Sequence, residues 1–258
     1  MVYFCTLSKY LPLKLIIDIG NTRSKVAVFS DDHPEEVTVC ETLSVNCLDK
    51  MVKKYPAIRS AILSAVKDYP EAVDRYLEAR FYFLKLNEKT PLPIKILYKT
   101  PRLLGKDRIA LAVAARSVFP GQNVLVIDAG TTITYDFVNE EGEYPGGAIS
   151  PGIRMRLKAL HTFTGKLPLI EADDTMPDWV GNDTPGAILS GVLNGVVAEV
   201  QAFIDAYRKR FFPLQIVLSG GDEKYFDKRL KNNIFAHPNF VLTGLKEILD
   251  FNEEKNRG

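Results

Sequence analysis

An apolar run closed by an acid and a glycine, then a second apolar run, occurs twice: LIIDIGNTRSKVAVFS at 15–30 and LVIDAGTTITYDFVNE at 125–140. Short apolar runs bounded by turn residues read as buried strands, so each copy predicts a strand–turn–strand hairpin. Asp18 aligns with Asp128, Gly20 with Gly130 and Thr22 with Thr132, all at one separation. The rest of the chain continues as an α/β alternation. Further strands are expected at 37–42, 60–64 and 94–98, then at 146–149, 215–218 and 240–242. Helices are expected at 48–54, 71–79 and 106–118, then at 152–160, 184–210, 224–231 and 245–251. The longest carries Ile188, Val192, Val196, Val200 and Phe203 as one apolar stripe. A unit that opens each half predicts two similar domains in tandem, 14–120 and 121–258, divided at Pro120-Gly121, with 1–13 as an extension.

Composition narrows the classes of function. The 258 residues are 46% hydrophobic and 25% charged, enough apolar surface for a full core. With 33 basic against 32 acidic residues the net charge is +1, so no broad field points to nucleic acid or an anionic membrane. No run approaches the roughly 18 apolar residues of a membrane span. Cys5, Cys40 and Cys47 form no CxxC pair, and His33, His161 and His237 lack zinc-like spacing. The N-terminal stretch has neither a basic segment nor a small-residue cleavage site, so a reducing, cytoplasmic setting is expected.

Asp18 and Asp128 each end an apolar strand before a glycine turn, and a carboxylate at the edge of a core calls for donors or a cation. Gly20 and Gly130 let backbone amides approach an anion, and Asn21, Thr22, Thr131 and Thr132 add side-chain donors. Two such turns facing each other would clamp a polyphosphate with its metal. The chain has no GxxxxGK[ST] loop, GxGxxG fingerprint, GxSxG elbow or HExxH helix, which leaves an actin-like nucleotide site. In YKTPRLLGKDR (98–108), Asp107 falls in the first turn of an apolar helix, where it serves as a helix cap or as a general base. Arg108 stands against the helix dipole there, which an anionic partner would explain. On these residues alone both readings of Asp107 stand open. PGGAISPG, GNDTPGAILSG and LSGGD complete the glycine-bearing segments.

Taken in order, DIGNTRSK, YKTPRLLGKDR, IDAGTTITYD, GGAISPG, GNDTPGAILSG and LSGGD resemble the motifs of type III pantothenate kinases. The resemblance covers nearly everything after Leu13. It implies the α/β fold of the acetate and sugar kinase, heat-shock ATPase and actin superfamily: two tandem ribonuclease-H-like domains with a nucleotide cleft between them. It further implies ATP-dependent phosphorylation of the primary hydroxyl of pantothenate, the first step of coenzyme A biosynthesis. Asp18, Ile19, Gly20, Asn21, Thr22, Arg23, Ser24 and Lys25 would form the first phosphate loop, with Asp18 holding magnesium through water. Thr131 would contact ATP, and Asp128 would bind potassium or ammonium. Tyr98, Gly105, Lys106, Asp107 and Arg108 would hold pantothenate, with Asp107 as general base. Thr184 would complete that site from the second subunit of a homodimer. Two rivals are a kinase for another small alcohol and a non-catalytic relative acting as a regulatory factor. The latter should have lost Asp18, Asp107 or Asp128, and all three are present.

Overall fold

Leu15, Ile16 and Ile17 are fully buried in β1 (Leu13–Ile19), which is why this run does not alternate. In the computed structural model, which describes residues 12–173, 175–230 and 234–256, β1 is the central strand of a sheet ordered β3-β2-β1-β4-β5. β2 (Ser24–Ser30) and β3 (His33–Cys40) join it as an antiparallel meander. β4 (Ile58–Ala65) pairs with β1 in parallel, and β5 (Tyr82–Lys85) with β4. One sheet face packs Leu15, Ile17 and Ile19 against α1 (Val45–Lys54) and α2 (Ala72–Glu78) through Leu48, Met51, Val73 and Leu77.

The second repeat builds the same topology. β7 (Asn123–Ala129) is central in the order β10-β8-β7-β11-β12. β8 (Thr132–Val138) and β10 (Gly146–Pro151) are antiparallel neighbours; β11 (Leu214–Ser219) and β12 (Phe235–Ala236) follow in parallel. Its core gathers Leu125, Ile127, Tyr135, Leu157, Val196 and Val200. Two short strands, β6 (Lys95–Ile96) and β9 (Glu143–Tyr144), lie outside these sheets. The remaining helices are α3 (Lys106–Val118), α4 (Ile153–Thr162), α5 (Thr184–Leu189), α6 (Gly195–Arg210), α7 (Glu223–Asp227) and α8 (Phe240–Lys255). The two five-stranded sheets are those of a tandem ribonuclease-H-like fold.

The chain divides into two compact units, Met1–Ser117 with Val241–Gly258, and Val118–Phe240. The last helix therefore groups with the first repeat rather than with the linear second half. Its anchors are local: Lys14 pairs with Asp250, and buried Lys246 reaches Asp32 at 2.5 Å and Asp250 at 3.0 Å. A Cβ on Gly244 would lie 1.8 Å from the Ala110 carbonyl oxygen, so α8 and α3 cross at contact distance.

Four expectations need correction. The strand expected at 240–242 is the first turn of α8, whose buried Phe240, Leu242, Leu245, Ile248 and Leu249 follow helical spacing; a three-residue apolar window cannot tell the two apart. The strand at 94–98 shrinks to Lys95–Ile96, since Pro93 and Pro101 restrict its flanks. The helix at 224–231 covers only Glu223–Asp227. The helical run Thr184–Arg210 is in fact long and apolar enough, by length and composition, to cross a membrane; its buried Val196, Val200 and Ile204 belong to the core of the second unit. Residues 1–11, most of the expected extension and Cys5 with it, lie outside the described residues.

Candidate phosphate and substrate site

In the first unit, the turn between β1 and β2 closes with the Gly20 amide donating to the Arg23 carbonyl at 3.1 Å. Asn21, Thr22 and Arg23 are exposed on it, and Ser24 and Lys25 start β2. A Cβ on Gly20 would already touch that carbonyl at 3.0 Å, so the tight turn favours glycine. Asp18 stands in register with Lys25 on one side and Ser64 on the other, at the carboxyl end of β1 and β4. Ligands of parallel α/β sheets sit at that end. The Ser64 hydroxyl, completely buried on the Asp18 face, has no hydrogen-bond partner among the described residues. A carboxylate flanked by a spare hydroxyl fits a hydrated cation. Among the described residues no group of three or more His, Cys, Asp or Glu side chains could hold a bare one.

In the second unit the matching turn brings three glycine segments into contact. The Gly130 amide donates to the Thr132 carbonyl at 3.0 Å, leaving Thr131 exposed at the tip. Asp128 is in register with Thr134 and with Ser219 of β11. Ser219 thus stands to Asp128 as Ser64 stands to Asp18, a pairing missed in the sequence although a Leu-Ser pair lies at or next to the end of each strand. The Gly152 amide donates to the Thr131 carbonyl at 3.1 Å, and a Cβ on Gly152 would lie 2.1 Å from the Gly130 carbonyl oxygen. Gly220, at φ +99°, lies against Ala129, and the Asp222 amide donates to the Ala129 carbonyl at 2.9 Å. GGAISPG and LSGGD therefore both end on the second turn. Asp222 and Arg154, 3.8 Å apart, were also not singled out from sequence. Burial pushes the Asp222 carboxyl above its ordinary range, and Arg154 pulls it back in part.

The 98–108 block is assembled at the start of α3. The Arg108 guanidinium, buried, lies over the Tyr98 ring at 5.7 Å. The Asp107 carboxylate accepts the Arg108 amide at 2.9 Å, and a Cβ on Gly105 would strike Asp107 Oδ1 at 2.5 Å. Glycine at 105 thus leaves room for the carboxylate beside it, while Lys106 and Asp107 stay half-exposed.

Thr184 opens α5, capped by Asp183, whose carboxylate accepts the Gly186 amide at 2.7 Å. Exposed on the surface of the second unit, it lines an apolar groove of about 1010 Å³ together with Met155, Phe163, Ala187, Ile188 and Gly191. Phe163 is 86% exposed there. Beneath the groove Glu199 accepts from Ser150 (2.6 Å), Arg156 (2.7 Å) and Tyr135 (3.2 Å). The run from α5 to α6 passes through a π turn, Ser190–Asn194, against the groove wall. His161 bonds the Leu167 carbonyl, and His237 packs between Phe235 and Phe240.

The chain is similar to known proteins over most of its length. The type III pantothenate kinase family model matches residues 14–206. A type III pantothenate kinase of Bacteroides fragilis is 47% identical over 241 residues, covering 93% of this chain and 98% of that protein. One from Christiangramia forsetii is 44% identical over 243 residues, covering 93% and 99%. Among solved structures, a protein described as a Baf family transcriptional activator from Campylobacter jejuni superposes with TM-score 0.61 at 20% identity, covering 93% of this chain and 99% of that one. A glucokinase from an Antarctic psychrotroph gives 0.54 at 14%, with the same coverage. The likeness to these two structures shows the fold alone. The family match and the full-length identities go further: this chain belongs to the type III pantothenate kinase family.

Proposed function

We propose that this chain transfers the γ-phosphoryl group of ATP to the primary hydroxyl of pantothenate, giving 4′-phosphopantothenate at the entry to coenzyme A biosynthesis. The observation that carries the reading is the near full-length identity to kinases of this family. Asp18, Asp107 and Asp128 are all retained, against a non-catalytic regulatory role.

In this reading the turn from Asp18 to Lys25 and Thr131 take the phosphates of ATP. Asp18 holds magnesium through water, and the unpartnered Ser64 hydroxyl beside it supports a hydrated ion at that position. Magnesium supplies neutralisation of phosphate charge, the main electrostatic demand of phosphoryl transfer. Asp128 binds potassium or ammonium. Tyr98, Gly105, Lys106 and Arg108 orient pantothenate, with the buried Arg108 as the natural partner of its carboxylate. Asp107 accepts the hydroxyl proton as oxygen attacks phosphorus. Thr184 acts from a second copy of the chain, and the exposed apolar side chains of Met155 and Phe163 beside it in the groove support a homodimer contact there. A cytoplasmic setting suits a pathway that starts from free pantothenate and ATP.

A coupled assay that counts ADP tests the reading. Turnover is expected with ATP, magnesium, potassium and pantothenate together, and no turnover when pantothenate is left out. Equal ADP release with and without pantothenate overturns it.

A further inference from the structure

Along β4, Ala61 and Leu63 join the core against α1 and α2. Side chains alternate across a strand, so Ser60, Ile62 and Ser64 face the other side of the sheet. Ile16 and Asp18 of β1 share that side, since Leu15, Ile17 and Ile19 point into the same core. Towards the carboxyl end of the two strands, Asp18 and Ser64 are register partners. Ser64 is fully buried, yet its hydroxyl has no hydrogen-bond partner among the described residues, the neighbouring Asp18 included. A buried hydroxyl left without a partner is destabilising, and such a group calls for a ligand or an ordered water. The end of β4 is also tied to the turn after Asp18. There the Val66 amide donates to the Ile19 carbonyl at 3.0 Å, and the Lys67 ammonium to the Asn21 carbonyl at 3.1 Å. Ser64 is therefore held at a fixed place beside the first phosphate turn.

We infer that Ser64 is a positioning residue for the hydrated cation held by Asp18, its hydroxyl hydrogen-bonding a water of the cation's shell. The inference rests on the nucleotide reading of that turn and adds to it a residue that lies outside the turn motif. A hydroxyl both donates and accepts, so it can bridge a carboxylate and a metal-bound water, which suits an ion held through water rather than directly. Serine at 64 thus destabilises the ligand-free protein and stabilises the loaded one, the trade expected of a binding residue. Ser60 provides the contrast. It is buried on the same sheet face but lies earlier in β4, where its register partner is Lys14 rather than Asp18.

The test titrates the full-length protein with ATP by calorimetry, without pantothenate, once with magnesium and once with EDTA. In the wild type, ATP should bind more tightly with magnesium. In Ser64→Ala that tightening should shrink by roughly 3–10-fold, as for one lost hydrogen bond, while affinity in EDTA stays at the wild-type value. The ligand-free variant should melt no lower than wild type, because no protein partner is lost. Ser60→Ala should keep the wild-type magnesium effect. An unchanged magnesium effect in Ser64→Ala, an equal loss in Ser60→Ala, or a lowered ligand-free melt of Ser64→Ala overturns the inference. A wild type that binds no ATP in either buffer instead removes the nucleotide reading, and the inference with it.

Discussion

At the start of α3 the Asp107 carboxylate accepts the Arg108 amide, as a capping group does, while standing beside Gly105 in the block assigned to pantothenate. Asparagine keeps an acceptor for that amide but cannot take a proton. Asp107→Asn is therefore expected to melt within a degree or so of wild type and to bind ATP normally, with kcat lower by roughly 10²–10⁴-fold. Activity within a few-fold of wild type would leave Asp107 a cap. A second test at this scale concerns Asp128. Replacing potassium and ammonium by sodium should remove most turnover, and Asp128→Ala should turn over equally slowly in all three salts. Wild-type rates that do not depend on the cation would remove the ion from Asp128. The turn and helix start that carry these residues were legible because local motifs mark them. Ser64, Ser219 and Asp222 were not, because their meaning comes from strand register and from a loop contact with Ala129.

Elements were legible where periodicity is strong. α3 matches its expected range, β11 differs by one residue at each end, and β1 with β2 and β7 with β8 form the two expected hairpins. β5 and β12 were missed because short edge strands offer too few positions for a pattern. The partner of α8 was illegible for another reason: Gly244 and Lys246 find Ala110 and Asp32 only through the fold. Gly244→Ala sets a methyl against the Ala110 carbonyl and is expected to destabilise by about 1–3 kcal/mol, read by denaturant unfolding. An unchanged midpoint would contradict that crossing. In the second unit, burial alone would raise the Glu199 carboxyl, but the bonds from Ser150 and Arg156 hold it below its ordinary value of 4.5. A depressed folded-state pKa gives stability that is present above 4.5 and lost as pH falls through the folded value. Glu199→Gln should therefore melt lower than wild type at neutral pH, with the gap closing in acid. A gap of constant size across that range would show that the charge of Glu199 contributes nothing.

For the molecule as a whole, the repetition of one unit was readable from the two aligned aspartate turns, but the sheet order and the return of α8 to the first unit were not. The apolar groove at Thr184 carries the prediction about assembly. Light scattering should give twice the 28.9 kDa chain mass. Ala187→Arg, which sets a charge in the groove, should yield a folded monomer that no longer phosphorylates pantothenate. A fully active monomer at assay concentration would sink the shared site. Thr184→Ala should raise the KM for pantothenate by roughly 3–10-fold, as for one lost hydrogen bond, and leave the KM for ATP alone. The central claim is where the phosphoryl group goes. Phosphorus NMR of one reaction mixture holding ATP, magnesium, potassium, pantothenate and glucose follows that directly. The account predicts one new phosphate monoester on the primary hydroxyl of pantothenate, growing in step with ADP. Inorganic phosphate alone, or a glucose phosphate in its place, would contradict it.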